Sequence, residues 1–154
     1  MATENQHKPN DFTPVVKALE LANYVLQITA NNKWFPDCSI DRKKNNDGSI
    51  TQIVVYRSDS MTNIVREEAR RIFLLAHTAN EINLKRQPKR KAERLRKQIE
   101  AMALCEDLLA DIQLCQKHFH LTSKRTKYWG ELVINLRSAI ERWHESDKDR
   151  YKDI

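Results

Sequence analysis

The sequence predicts an all-α protein in which four amphipathic helices pack antiparallel, up-down-up-down, around one apolar seam. Two observations carry this prediction. Only two glycines, Gly48 and Gly130, occur in 154 residues, too few for a turn-rich β architecture. Apolar side chains meanwhile recur at helical spacing in four segments, the last three joined by short connections.

The first helix is expected over 14–31, with Thr13 as cap, Pro14 in the first turn, and Val15, Ala18/Leu19, Ala22, Val25/Leu26 and Thr29 along one face. Trp34 and Phe35 follow it and are expected to close that end of the bundle. A second helix starts near Ser58 or Ser60 and carries Met61, Ile64/Val65, Ala69, Ile72, Leu75/Ala76, Ala79 and Ile82, stopping before Pro88. From Pro88 a third helix of close to thirty residues presents Leu95, Ile99, Met102, Cys105, Leu109, Ile112 and Phe119. Thr122 or Ser123 caps a fourth, whose stripe reads Trp129, Leu132/Val133, Leu136, Ala139/Ile140 and Trp143. Between the first two helices, Asp47-Gly48 lies between β-branched residues, which signals a small β-hairpin within a 37–60 insertion; a polar loop is the competing reading. The domain plan is thus a flexible polar tail over 1–12, a bundle over 13–145 and a charged tail over 146–154.

A net charge of +6 favours an anionic partner, of which nucleic acid is the commonest. The charge is concentrated. Residues 84–98, LKRQPKRKAERLRKQ, hold eight Lys or Arg against the single Glu93, at a helix start whose dipole disfavours cations. So costly a run is better matched by an external phosphate backbone than by plain solubility. Bundle topology puts a second basic region at the opposite end, with Arg42, Lys43, Lys44, His118 and His120 nearby. The candidate phosphate contacts are Lys85, Arg86, Lys89, Arg90, Lys91, Arg94, Arg96 and Lys97 at the first end, and Lys117, Lys124, Arg125 and Lys127 at the second. Arg66, Arg70 and Arg71 add charge on the second helix, where Glu67 is spaced to pair with Arg71. No aromatic interleaves with the cations of 84–98, so base stacking is not indicated there.

Other chemistries are poorly supplied. Phosphate-cradling glycine loops, nucleophile elbows and paired carboxylate motifs do not occur. Asp111, Cys115 and His118 share a helix face but lack the paired spacings of a zinc site, and no cofactor is expected. Cys105 and Cys115 lie about 15 Å apart on one helix and read as free core thiols in a reducing compartment. Apolar runs are too short to span a membrane, no signal-peptide core is evident, and a cytoplasmic protein is expected. Two Arg/His pairs, Arg71 with His77 and Arg137 with His144, could serve a ribonuclease if they faced a cleft, Arg137 and His144 resembling the HEPN ribonuclease pattern. An adaptor docking an acidic protein through the basic patches is a further alternative.

Most of 14–145 resembles the accessory variability determinant (Avd) proteins of diversity-generating retroelements and the related four-helix proteins encoded in ribosomal RNA intervening sequences. The resemblance is carried by Arg94-Leu95-Arg96, the Leu121-Thr122-Ser123-Lys124 turn, Tyr128-Trp129, the late Trp143, Lys33-Trp34-Phe35-Pro36, and Ala76-His77-Thr78-Ala79-Asn80. The chain departs from the family pattern at Glu141-Arg142, where many relatives have small residues, and in the 37–60 insertion. The resemblance implies a basic, non-enzymatic homopentameric barrel that binds RNA or DNA and a reverse transcriptase, assisting mutagenic copying of a template RNA.

Overall fold

A computed structural model of the chain describes residues 12–56 and 60–154. Four helices make up most of it: α1 (Thr13–Thr29), α2 (Met61–Glu81), α3 (Lys91–His118) and α4 (Ser123–Arg150), with a short 3-10 turn at Pro88–Arg90 leading into α3. Strands β1 (Cys38–Lys44) and β2 (Ile50–Tyr56) form an antiparallel hairpin between α1 and α2. Register runs from Cys38 opposite Tyr56 to Lys44 opposite Ile50. The hairpin expected from Asp47-Gly48 is present, with a five-residue loop over 45–49 in which Gly48 takes φ 89°. That conformation suits glycine, and Asp47 holds the loop by accepting from the Ser49 amide (2.9 Å) and hydroxyl (2.6 Å).

The core lies between the helices. Val15, Ala18, Leu21 and Val25 of α1, Val65, Ala69, Ile72 and Ala76 of α2, Ala101, Cys105, Leu108 and Ile112 of α3, and Trp129, Val133, Leu136 and Ile140 of α4 are all buried. At one end Phe12 packs edge-on against Trp143 (ring centroids 5.0 Å), joining the start of α1 to the end of α4. At the other, Phe35 lies 5.3 Å from Phe119 and 6.2 Å from Trp129, closing the core as its position after α1 suggested. Among the described residues, no helix is long and apolar enough to cross a membrane.

Capping differs from expectation at α1. Phe12, not Thr13, is the cap; Thr13 is already helical and makes no side-chain cap bond, because Pro14 without its N–H fits the second helical position as well as the first. Ser60 caps α2 by accepting from the Asn63 amide at 3.1 Å, the alternative start at Ser58 lying outside the described residues. Asp37 reinforces this cap. Its carboxylate accepts from the Thr62 amide at 3.2 Å and from the Thr62 hydroxyl, placing a negative charge at the positive end of α2 and burying Thr62.

One boundary and one helix face differ from expectation. The segment 146–154, expected as a charged tail, continues α4 to Arg150, because Asp147 is drawn into the bundle at 2% exposure. The expected stripe of α3 is rotated by about one position: Gln98, Ala101, Cys105, Leu108, Ile112 and Cys115 are buried, whereas Ile99 is 52% exposed and Leu95 only half-buried. Met102 and Leu109 flank the core. The expected tail over 1–12 lies outside the described residues apart from Phe12.

Candidate nucleic-acid interface

The twelve cations proposed as phosphate contacts divide into two groups. In the first, the protein itself uses the charge. Arg94 is the clearest case, its side chain only 12% exposed. Its guanidinium donates to both Asp147 carboxylate oxygens (2.7 and 2.9 Å) and to the Ile82 carbonyl (2.7 Å), and sits 5.4 Å from the Trp143 ring. Gln98 donates to the same carboxylate (2.6 Å), and its carbonyl oxygen lies 2.8 Å from His144 Nδ1. This buried network ties the exit of α2, the start of α3 and the end of α4 into one polar unit, and it explains why a glutamine occupies a core position. Burial, reinforced by Lys148, holds the His144 imidazole below its ordinary value, so the neutral form is favoured.

Arg90 and Lys91 are also engaged. Arg90 makes a two-pronged pair with Glu93 (2.8 and 2.9 Å), which holds the Glu93 carboxyl low. The Lys91 ammonium donates to the Tyr151 carbonyl at 2.6 Å, a C-terminal capping contact for α4 made from another helix. Arg96 keeps a loose pair with Glu100 at 3.7 Å, and Lys97 is half-buried. Of the eight candidates in 84–98, Lys85, Arg86 and Lys89 are exposed with no side-chain partner among the described residues. They lie in or beside the α2–α3 connection, where Asn83 accepts from the Lys85 amide (3.0 Å) and shapes the turn.

The α3–α4 end is arranged differently. Lys117, Lys124 and Lys127 are exposed, with no acidic partner within ion-pair distance among the described residues. Arg125 lies over the Trp34 ring, 3.3 Å from its centroid, a cation–π contact that leaves the residue exposed. The connection is tight: Phe119 caps α3, His120 adopts φ 55°, and the Leu121 amide reaches back to the Gln116 carbonyl at 3.1 Å. Thr122 then caps α4 by accepting from the Arg125 amide. Beside this turn, Tyr24 and Tyr128 meet edge-on at 5.0 Å. The hairpin adds exposed Arg42, Lys43 and Lys44.

Acidic side chains near this end turn inward. Burial, the hydrogen bond that protonated Glu68 donates to Asp111, and the charges of Asp111 and Asp107 push the Glu68 carboxyl up to about 8, and its Oε1 is buried without a partner among the described residues. On α2, Glu67 pairs loosely with Arg70 at 3.9 Å, one position short of the expected Arg71.

The remaining sequence candidates disperse. Arg137 binds Glu106 (2.8 Å) and Glu141 (3.4 Å) at the surface, while His144 is buried against Gln98, so this pair does not converge on a common group. His77 stacks on Phe73 at 5.7 Å, and Arg71 is exposed. Cys105 and Cys115 are free and buried, and burial pushes both thiols up to about 12. Among the described residues, no group of three or more His, Cys, Asp or Glu is placed to hold a metal.

Comparison with protein-family models, with curated proteins and with solved structures finds no match.

Proposed function

We propose that this chain is a non-enzymatic nucleic-acid-binding accessory protein of a diversity-generating retroelement, a cytoplasmic homopentamer of antiparallel, up-down-up-down four-helix protomers that works beside a reverse transcriptase. One observation carries the nucleic-acid part: six of the candidate cations, Lys85, Arg86, Lys89, Lys117, Lys124 and Lys127, stand exposed at or beside connections between helices with no acidic partner among the described residues. Exposed, unpaired cations on rigid element ends suit a phosphate backbone and impose no sequence preference. Self-assembly is supported by large apolar side chains left on the outer faces, among them Ile99 (52% exposed), Leu114 (56%) and Ile134 (53%). The reverse transcriptase and the template RNA enter through the resemblance to the Avd proteins.

The test is a binding isotherm on RNA and DNA at several salt concentrations. Affinity should fall steeply between low and physiological salt, with little dependence on sequence. Absent or salt-independent binding would sink the reading. Light scattering checks the pentamer, and co-purification of a reverse transcriptase with its template RNA checks the partner.

A further inference from the structure

Around the start of α4 the basic side chains are interleaved with aromatic ones. Tyr128 is 52% exposed, and its edge-on contact with Tyr24 at 5.0 Å fixes the ring while half the residue stays in solvent. One helical turn before it, the Arg125 guanidinium is backed by the Trp34 ring at 3.3 Å, so its plane is held in place by packing. Lys124 and Lys127 flank these two surfaces on α4, and Lys33 precedes Trp34; all three are exposed. Thr126 and Trp129 are buried and anchor the same turn, so the platform stands on a rigid helix.

Such a surface does something that a purely cationic one does not. Phosphates satisfy Lys124 and Lys127 in any nucleic acid, but an aromatic ring or a clamped guanidinium plane gains stacking energy only from a base that is not already stacked in a duplex. Duplex ends aside, that requires a single strand. We propose that the α3–α4 end is a single-strand binding platform, on which unpaired bases stack against Tyr128 and the Trp34-backed Arg125 while Lys33, Lys124 and Lys127 take the backbone phosphates. The proposal rests on the nucleic-acid reading above and narrows it to single-stranded RNA or DNA. At the α2–α3 end the nearby Tyr151 is half-buried beside Lys85, and among the described residues no exposed aromatic stands with Lys85, Arg86 and Lys89 as Tyr128 does with Lys124 and Lys127.

The experiment uses the full chain and fluorescently labelled probes: oligouridylate, oligothymidylate and a DNA duplex of the same length, each titrated at several salt concentrations. The wild type binds the single strands more tightly than the duplex. Tyr128→Ala weakens single-strand binding about tenfold, leaves duplex binding and the salt slope unchanged, and is matched by a Tyr128→Phe variant that behaves as wild type. Arg125→Lys keeps the charge and also weakens the single strands selectively. Lys124→Gln with Lys127→Gln weakens every probe and flattens the salt dependence. If Tyr128→Ala binds single strands as the wild type does, or loses duplex and single strand equally, the platform is overturned while nucleic-acid binding stands. If light scattering shows that Tyr128→Ala changes the assembly and not the affinity, Tyr128 is a subunit contact and the proposal fails. If the wild type binds none of the probes, both readings fall together. Comparing oligouridylate with oligothymidylate shows whether the platform favours RNA or DNA.

Discussion

The two basic ends of the bundle differ in how much of their charge the protein uses internally: the denser one, 84–98, spends several of its cations on pairing, and the sparser one, 117–127, spends none on acids among the described residues. At the α2–α3 end the protein consumes part of its charge: Arg94 serves Asp147, Arg90 serves Glu93 and Lys91 serves the last turn of α4, while Lys85, Arg86 and Lys89 stay exposed. At the α3–α4 end Lys117, Lys124 and Lys127 remain exposed and Arg125 lies on an aromatic. The difference comes from the acids. Asp147 and Glu93 reach the first end, whereas Glu68 and Asp111 face each other between α2 and α3, and Asp37 is taken up by the cap of α2. A count of basic residues therefore measures potential contacts, and the available surface charge is what remains after internal pairing.

The largest expected effect breaks the first end. Asp147→Ala leaves the Arg94 guanidinium buried without its anion and strips Gln98 of its acceptor, so it should destabilise the fold by about 3–5 kcal/mol. Denaturant unfolding measures this. Replacing the pair together, Arg94→Met with Asp147→Leu, should recover much of that loss because no lone charge is left buried. A stability change below about 1 kcal/mol for Asp147→Ala would mean that the two ends are not different in kind.

Next comes the second end. Lys117→Gln, Lys124→Gln and Lys127→Gln together should leave the unfolding transition nearly in place, since all three are exposed, yet lower the slope of log affinity against log salt by about 2 for single strands and slightly more for duplex. Arg94→Gln should do the reverse, costing stability with little change in slope. Should Arg94→Gln alter the slope and not the stability, the division between the ends would be wrong.

Much of this architecture was legible in the residues, and the illegible parts share one cause. The four helices follow from apolar periodicity, and the stripe from Trp129 to Trp143 is buried as its spacing requires. Where a core position is polar, periodicity misleads. Gln98 looks like surface and is buried by Asp147 and His144, which rotates the apparent face of α3 and puts Ile99 in solvent. Asp147 sits in a stretch, HESDKDR, that reads as a solvated tail, and only its distant partner Arg94, 53 positions earlier, makes it structural. A partner that far away leaves no local pattern. The platform around Tyr128 was hidden for the same reason, because Tyr24 and Trp34 come to it from α1 and the segment after it.

The acids turned inward sharpen the comparison through pH. Burial against Asp111 pushes the Glu68 carboxyl up to about 8 against an ordinary value of 4.5, so between these values the Glu68–Asp111 pair holds a proton that the unfolded chain has released. Its contribution to stability is therefore complete below about pH 4.5 and is lost as pH rises through 8. Unfolding free energy should decline across this window, and Glu68→Gln, which keeps the buried shape and removes the titration, should flatten the decline. A Glu68→Gln profile with the wild-type slope would assign the pH dependence elsewhere.

The smallest effect concerns the turn that presents the second end. His120 holds a left-handed backbone, φ 55°, between α3 and α4, a conformation that costs a residue with a Cβ about 1–2 kcal/mol and glycine almost nothing. Against that stands the greater freedom glycine gives the unfolded chain, about 0.5–1 kcal/mol. His120→Gly should thus stabilise the bundle by about 0.5 kcal/mol, a rise in melting temperature of a few degrees at most. His120 is exposed and close to Lys117 and Lys124 in sequence, so its imidazole could instead be retained for the ligand. The two explanations part in a single variant: a His120→Gly protein that is more stable and binds single strands as the wild type does assigns the residue to the turn alone, whereas one that is more stable and binds less tightly assigns the strain to binding.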